Sequence, residues 1–221
     1  MTKGSIQKTG GVAALIGAAT VVVGIGMYAT LLSDYATGGL DAGGSVAFLA
    51  DHEAGLYLWN LITLIVFSIV LVPLAFALHE RLKAGSSAMA QAATGFGLIW
   101  AGLLIAAGMV LNIGFGNVVD LSATNPAQAE SLWLAVDSVA NGLSGGMEIA
   151  GPIWILLVSL AALRAEVLPK ALNYLGVVMA VAGLVTIVPA LEDVGIVFGL
   201  GLIVWLGWVG IVMYRGTPGK V

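Results

Sequence analysis

An acid inside an apolar stretch is the residue best placed to do chemistry in this chain. Glu148 stands in GGMEIAGPIW, just inside the outer end of a predicted membrane-spanning helix. Ionisable side chains there are costly and by default mark function. A carboxylate in a helix's first turn is also favoured by the helix dipole, so a helix-terminal cap is the competing role. On an unbroken preceding helix, Asp137, Asn141, Ser144 and Glu148 would share one face. Gly142, Gly145 and Gly146 weaken such a helix.

A second group gathers at the same outer side. Asp51, His52 and Glu53 enter the second predicted span there, and Asn112, Asn117 and Asp120 leave the third. With Glu192 and Asp193 they would line an outward-facing acidic cavity free of Lys and Arg, which would concentrate cations by field focusing. Asp51, His52 and Glu53 are the metal candidates, since oxygen ligands and one imidazole suit a divalent ion, although zinc ordinarily takes more His or Cys. Acids solvated on outer loops are the plainer reading. Trp154 completes the ligand-binding candidates, which are otherwise Glu148, Asp137, Asn141, Asn112, Asn117 and Asp120. At its depth an indole more often packs than cages a ligand.

Other chemistries are excluded. His79 lies across the membrane from His52, so the two cannot ligate one haem, and no cofactor is expected. There is no cysteine, hence no disulfide, thiolate metal site or thiol nucleophile. No nucleotide loop, Ser-His-Asp order, Gly-x-Ser-x-Gly or His-Glu-x-x-His helix occurs. The net charge of −4 offers no basic surface to nucleic acid.

The elements that must position these residues are helices in lipid. The chain is 60% hydrophobic and 9% charged, outside the soluble range. A bilayer core of about 30 Å needs about 20 apolar residues at the helical rise. Six stretches qualify, at about 11–32, 56–78, 92–113, 144–163, 171–190 and 194–214. The fold class is therefore all-α: a polytopic six-transmembrane-helix bundle, one domain over residues 1–221. Strands of a barrel would be shorter and alternating.

Cations orient the bundle. With the N-terminus inside, Lys3, Lys8, Arg81, Lys83, Arg164, Lys170, Arg215 and Lys220 all fall on the cytoplasmic side. Of the acids only Glu80 and Glu166 join them. The expected location is the inner membrane, with both termini cytoplasmic. The inner loops are too short for a catalytic domain. Outside, Ser45 is a candidate cap for a short helix. Asn125, Pro126 and Gln128 announce an amphipathic helix over about 126–141, with Leu132, Val136 and Val139 on one face. Pro73 and Pro152 are expected to kink their spans. The spacings Gly142 to Gly146, Gly195 to Gly199 and Gly97 to Gly102 suggest close helix crossings.

The stretch MEIAGPIWILLVSLAALRAEVLPKALNYLG, from Met147 to Gly176, resembles a bacterial family of integral membrane proteins known only as a domain of unknown function. KTGGVAALIGAAT and VPLAFALHERLKAGSSAMAQAATGFGLIWAGL are similar to it as well. The resemblance implies six spans and no established activity. Three functional readings follow. The leading one is non-enzymatic: a small transporter, channel or sensor whose outer cavity binds a small cation or amphipathic molecule near Glu148. The second is a structural or accessory subunit of a membrane complex or homo-oligomer. The third is a metal-dependent membrane lipid hydrolase using His52 and nearby acids. Membrane lipid is the expected partner in all three.

Overall fold

Twenty or more apolar residues in lipid have one economical conformation, since a helix satisfies its own backbone hydrogen bonds. The computed structural model describes residues 3–33, 40–144 and 149–216, and among them every regular element is helical. Helix α1 is Lys3–Thr30. Helix α2, Ala42–Asn60, runs through a π-helical turn, Leu61–Val66, into α3, Phe67–Leu82. Then come α4 (Ser87–Ser122), α5 (Pro126–Ser144), α6 (Ala150–Ala165) and α7 (Lys170–Val185). A 3₁₀ turn, Pro189–Val194, leads into α8, Gly195–Arg215. Four stretches, Gly4–Thr30, Ala42–Leu82, Ser87–Ser122 and Pro189–Arg215, are long and apolar enough to cross a membrane. Helices α6 and α7 are apolar but 16 residues each. The apolar helices mark a membrane-embedded helical protein.

Helix ends depart from the sequence expectations for local reasons. Helix α2 begins well before the predicted span at 56, because Asp41 caps it: its Oδ1 accepts from the Gly44 N–H at 2.7 Å. Ser45, the expected cap, is instead buried one turn inside that helix. Helix α6 starts at Ala150, not near 144, with Ile149 at the cap position. Pro152 thus sits in the first turn, where a missing N–H costs no hydrogen bond, and it does not act as an interior kink. Pro73 does lie inside α3.

Helix α5 opens with the Asn125–Gln128 pair. The Gln128 N–H donates to Asn125 Oδ1 at 3.3 Å, and Asn125 Nδ2 donates to Gln128 Oε1 at 3.2 Å. The helix continues past 141 to Ser144. Its buried positions are Ala129, Trp133 and Ala140, while Val139 is exposed. Of the expected face, Leu132 packs against the core of its unit and Val136 lies over Gly114, so only Val139 departs from it. The indole of Trp133, the largest apolar group on the helix, takes the core position against Phe115, ring centroids 5.8 Å apart.

The chain contacts divide into two compact units. The first comprises Met1–Ala19, Ser68–Gly102 and Gly145–Val221. Its core periodicity is helical: Leu71, Leu74, Leu78 and Leu82 on α3, and Phe198, Leu202, Trp205, Val209 and Met213 on α8, are all buried. At the centre, the rings of Trp100 and Trp154 lie 5.7 Å apart, and those of Trp154 and Trp205 5.6 Å apart. Glycine makes room for these indoles. A Cβ on Gly151 would lie 2.7 Å from Trp100 Cε2. Helices α1 and α8 also touch backbone to backbone, for a Cβ on Gly11 would lie 2.9 Å from the Gly210 carbonyl oxygen and 2.7 Å from the Tyr214 nitrogen. The start of α1 is thereby set beside the end of α8.

Arg81 ties the same end of this unit together. Its Nε donates to the Val167 carbonyl and its Nη1 to Gln7 Oε1, both at 3.1 Å, while Gln7 Nε2 donates to the Ala77 carbonyl at 2.8 Å. Nearby, Thr94 spends its hydroxyl proton on the Ala90 carbonyl at 2.8 Å. His79 Nδ1, 3.2 Å from that carbonyl and 3.0 Å from Thr94 Oγ1, must therefore carry its own proton and donate.

The second unit comprises Thr20–Phe67 and Leu103–Ser144. Leu32, Val46, Leu49, Leu56, Phe115, Val118, Ala129 and Trp133 form its core.

Candidate functional site

Polar atoms buried in the second unit converge where α2 meets the π-helical turn. Asn60 is the last residue of α2 and is fully buried. Its Nδ2 donates to Asn112 Oδ1 of α4 at 3.3 Å, and its own Oδ1 has no partner among the described residues. The turn that follows lets the Phe67 N–H reach back five residues to the Ile62 carbonyl. Such widened turns re-aim backbone carbonyls and recur at functional sites. Around them, Thr63 Oγ1 donates to the Trp59 carbonyl at 2.7 Å and Trp59 Nε1 to the Gly24 carbonyl at 2.9 Å. An unpaired carboxamide oxygen costs about 1–3 kcal/mol when buried, so a bound water or cation at Asn60 Oδ1 would offset a real penalty.

Charge is segregated with the units. All eight Lys and Arg residues fall in the first. The second carries seven acids and no Lys or Arg. Among these acids Asp51, Glu53 and Asp120 are exposed.

The sequence candidates are only partly brought together. Asn141 Nδ2 donates to Asp137 Oδ2 at 3.0 Å on α5, and Ser144 Oγ lies 3.5 Å from the Asn141 carbonyl. Glu148 and Gly146 lie outside the described residues. Asn117 and Asp120 are exposed on α4 past Asn112. His52 takes a non-helical conformation inside α2 (φ −124°, ψ 18°) and stacks on Phe48 at 4.1 Å. Its Nδ1 donates to the Phe48 carbonyl at 3.1 Å. Asp51, His52 and Glu53 are exposed, and no group of three His, Cys, Asp or Glu residues able to hold a metal forms among the described residues. Trp154 is 1% exposed in the indole stack, where it packs against its neighbours. Of the expected glycine crossings, Gly97 meets Trp154, whereas a Cβ on Gly102, Gly142 or Gly199 would meet nothing within 4 Å among the described residues. Asn60 was not among the sequence candidates. Its signal was an amide four residues inside a predicted span, immediately after Trp59.

The first unit has surface cavities among its described residues. One, of about 650 Å³, is lined by Gly4, Ser5, Lys8, Thr9 and Val12 of α1. Another, of about 520 Å³, lies between the α6–α7 connection and the end of α8. Neither contains a sequence candidate.

No curated protein and no solved structure matches the chain. One family model does, over residues 9–210, and its description is a domain of unknown function, DUF4386. That match covers five of the predicted spans and the sixth as far as residue 210, it includes Asn60 and Asn112, and the chain belongs to this family.

Proposed function

We propose that this is a non-enzymatic protein of the inner membrane, a small transporter, channel or sensor, that binds a small cation at Asn60 and Asn112. The observation that carries the reading is the buried, unpartnered Oδ1 of Asn60 beside Asn112. The one-signed acidic composition of the second unit supports it, because such a surface draws cations toward an oxygen-lined site. Of the sequence candidates the site uses Asn112; Glu148 lies outside the described residues. Titration calorimetry of Na⁺, K⁺ and Mg²⁺ into the purified full chain tests the reading. Asn112→Asp adds a carboxylate oxygen and is expected to tighten binding at least tenfold and favour Mg²⁺. No heat from any of the three ions in either protein would sink it.

The reading includes six spans in one membrane domain over residues 1–221, with both termini cytoplasmic. Helices α1, α2–α3 and α4 each contribute residues to both units, which supports one domain. The contact of Gly11 with Gly210 supports termini on a common side. The eight cations support the cytoplasm as that side. The chain lacks cysteine, so Ser86→Cys and Asn125→Cys can be labelled singly in intact cells with a membrane-impermeant maleimide. Asn125→Cys is expected to label and Ser86→Cys to label only after permeabilisation. The reverse pattern would invert the topology.

A second reading, an accessory subunit or homo-oligomer, is favoured by glycines that face open space. Among the described residues a Cβ on Gly102, Gly199 or Gly207 would meet nothing within 4 Å, which leaves room for another helix. Native mass spectrometry in mild detergent separates the two readings by stoichiometry.

A further inference from the structure

The 520 Å³ groove of the first unit has the chemistry of a lipid headgroup site. Its wall is apolar: Leu168 from the α6–α7 connection, and Trp208, Ile211 and Val212 from α8. Trp208 is 37% exposed and Ile211 44%, so both present surface to an occupant. At its lip stand one anion and one cation, Glu166 and Arg215. Both are exposed, and neither side chain makes an ion pair or hydrogen bond among the described residues. Trp208 and Arg215 are seven residues apart on α8, about 10 Å along the axis. That spacing sets the indole on the apolar side of the guanidinium, as at a membrane interface where aromatic rings anchor and arginines reach outward.

We propose that this groove holds a phospholipid whose headgroup carries a primary ammonium, of the phosphatidylethanolamine class. The guanidinium of Arg215 takes the phosphate, with paired N–H donors matched to its oxygens. The carboxylate of Glu166 takes the ammonium, and the upper acyl chain lies on Trp208 and Ile211. Charge decides the class. A wholly anionic headgroup would satisfy Arg215 but set its net negative charge beside Glu166. A trimethylated ammonium would keep the charge but lose every N–H that Glu166 could accept. The site is independent of the cation site and concerns the other unit.

The test is competitive lipid retention. The full-length protein is delipidated in detergent and supplied with equimolar phosphatidylethanolamine, phosphatidylcholine and phosphatidylglycerol of identical acyl chains, and bound lipid is read by native mass spectrometry. The ethanolamine lipid is expected to be retained roughly tenfold over either competitor, the worth of one charge-assisted hydrogen bond. Glu166→Gln is expected to abolish that preference while total retention persists, and Arg215→Gln to lower retention of all three. Equal retention by the wild type would overturn the proposal, as would a preference unchanged in Glu166→Gln or retention unchanged in Arg215→Gln. Should Arg215→Gln not fold, the Glu166→Gln comparison and a series of mono-, di- and trimethylated ethanolamine lipids decide alone. A stepwise fall in retention with methylation supports the site, and a flat series refutes it.

Discussion

Placing a methyl group at Gly151 probes the indole stack most sharply. A Cβ there would lie 2.7, 2.8 and 3.1 Å from Trp100 Cε2, Cζ2 and Cδ2, all inside ordinary carbon contact. Trp100 cannot easily swing aside. It is 1% exposed, lies against Trp154 at 5.7 Å and faces Phe198 at 6.4 Å. Overpacking of this kind costs about 1–3 kcal/mol. For a chain of this length that lowers the midpoint by roughly 2–4 °C per kcal/mol, so Gly151→Ala is expected to lose about 2–12 °C. The assay is thermal unfolding in detergent followed by tryptophan fluorescence. Trp100→Leu removes the three clashing atoms and, alone, leaves a cavity costing about 2–4 kcal/mol. In the double variant the new methyl occupies part of that space. Its loss is expected to fall short of the sum of the single losses by at least about 1 kcal/mol. A neutral Gly151→Ala, or strict additivity in the double variant, would refute the packing described for Trp100.

Further outcomes are expected in the first unit. Arg81→Lys is expected to lower stability by about 1–3 kcal/mol in chemical unfolding, because a lysine has no donor at the Nε position and its single nitrogen does not reproduce the planar fork set on the Val167 carbonyl and Gln7 Oε1; recovery of wild-type stability by lysine would show that charge alone matters. Glu166 closes α6 in the left-handed region (φ 53°, ψ 33°), a conformation that suits glycine at a helix C-terminus. In lipid-free detergent Glu166→Gly is expected to raise stability by about 1 kcal/mol, and a loss instead would mean that the side chain holds the connection.

Much of the architecture is legible because lipid simplifies the code. Long apolar runs become helices, and the Asn125–Gln128 cap and Pro126 mark the start of α5. What is hidden is whatever depends on partners distant in sequence. Nothing local distinguishes Gly11, which lets α1 reach α8, from Gly102, where a Cβ would meet nothing within 4 Å among the described residues. The packed stripe of α5 is decided by where Trp133 finds Phe115, not by the apolar period alone. At α2 the cap is Asp41, one turn before the expected Ser45, and the helix extends that much further toward the N-terminus. The candidate site was half legible. Asn112 stood out as an amide leaving a span, but its partner Asn60 reads as one more residue beside Trp59, and the π-helical turn has no sequence signature. Asp51, His52 and Glu53 are adjacent in sequence, yet they are exposed around a kink at His52 and form no metal-holding group among the described residues.

The cation site is tested most directly by the thermal midpoint of the full chain at constant ionic strength, with Na⁺ or K⁺ exchanged for choline, which is too large for a site between two carboxamides. An ion present at a hundred times its dissociation constant stabilises by about 2.7 kcal/mol. At 2–4 °C per kcal/mol, the account predicts a rise of roughly 5–10 °C over choline. It also predicts that the rise disappears in Asn112→Ala and persists in Arg215→Gln. The same midpoint in Na⁺, K⁺ and choline, or an equal rise in Asn112→Ala, would contradict it.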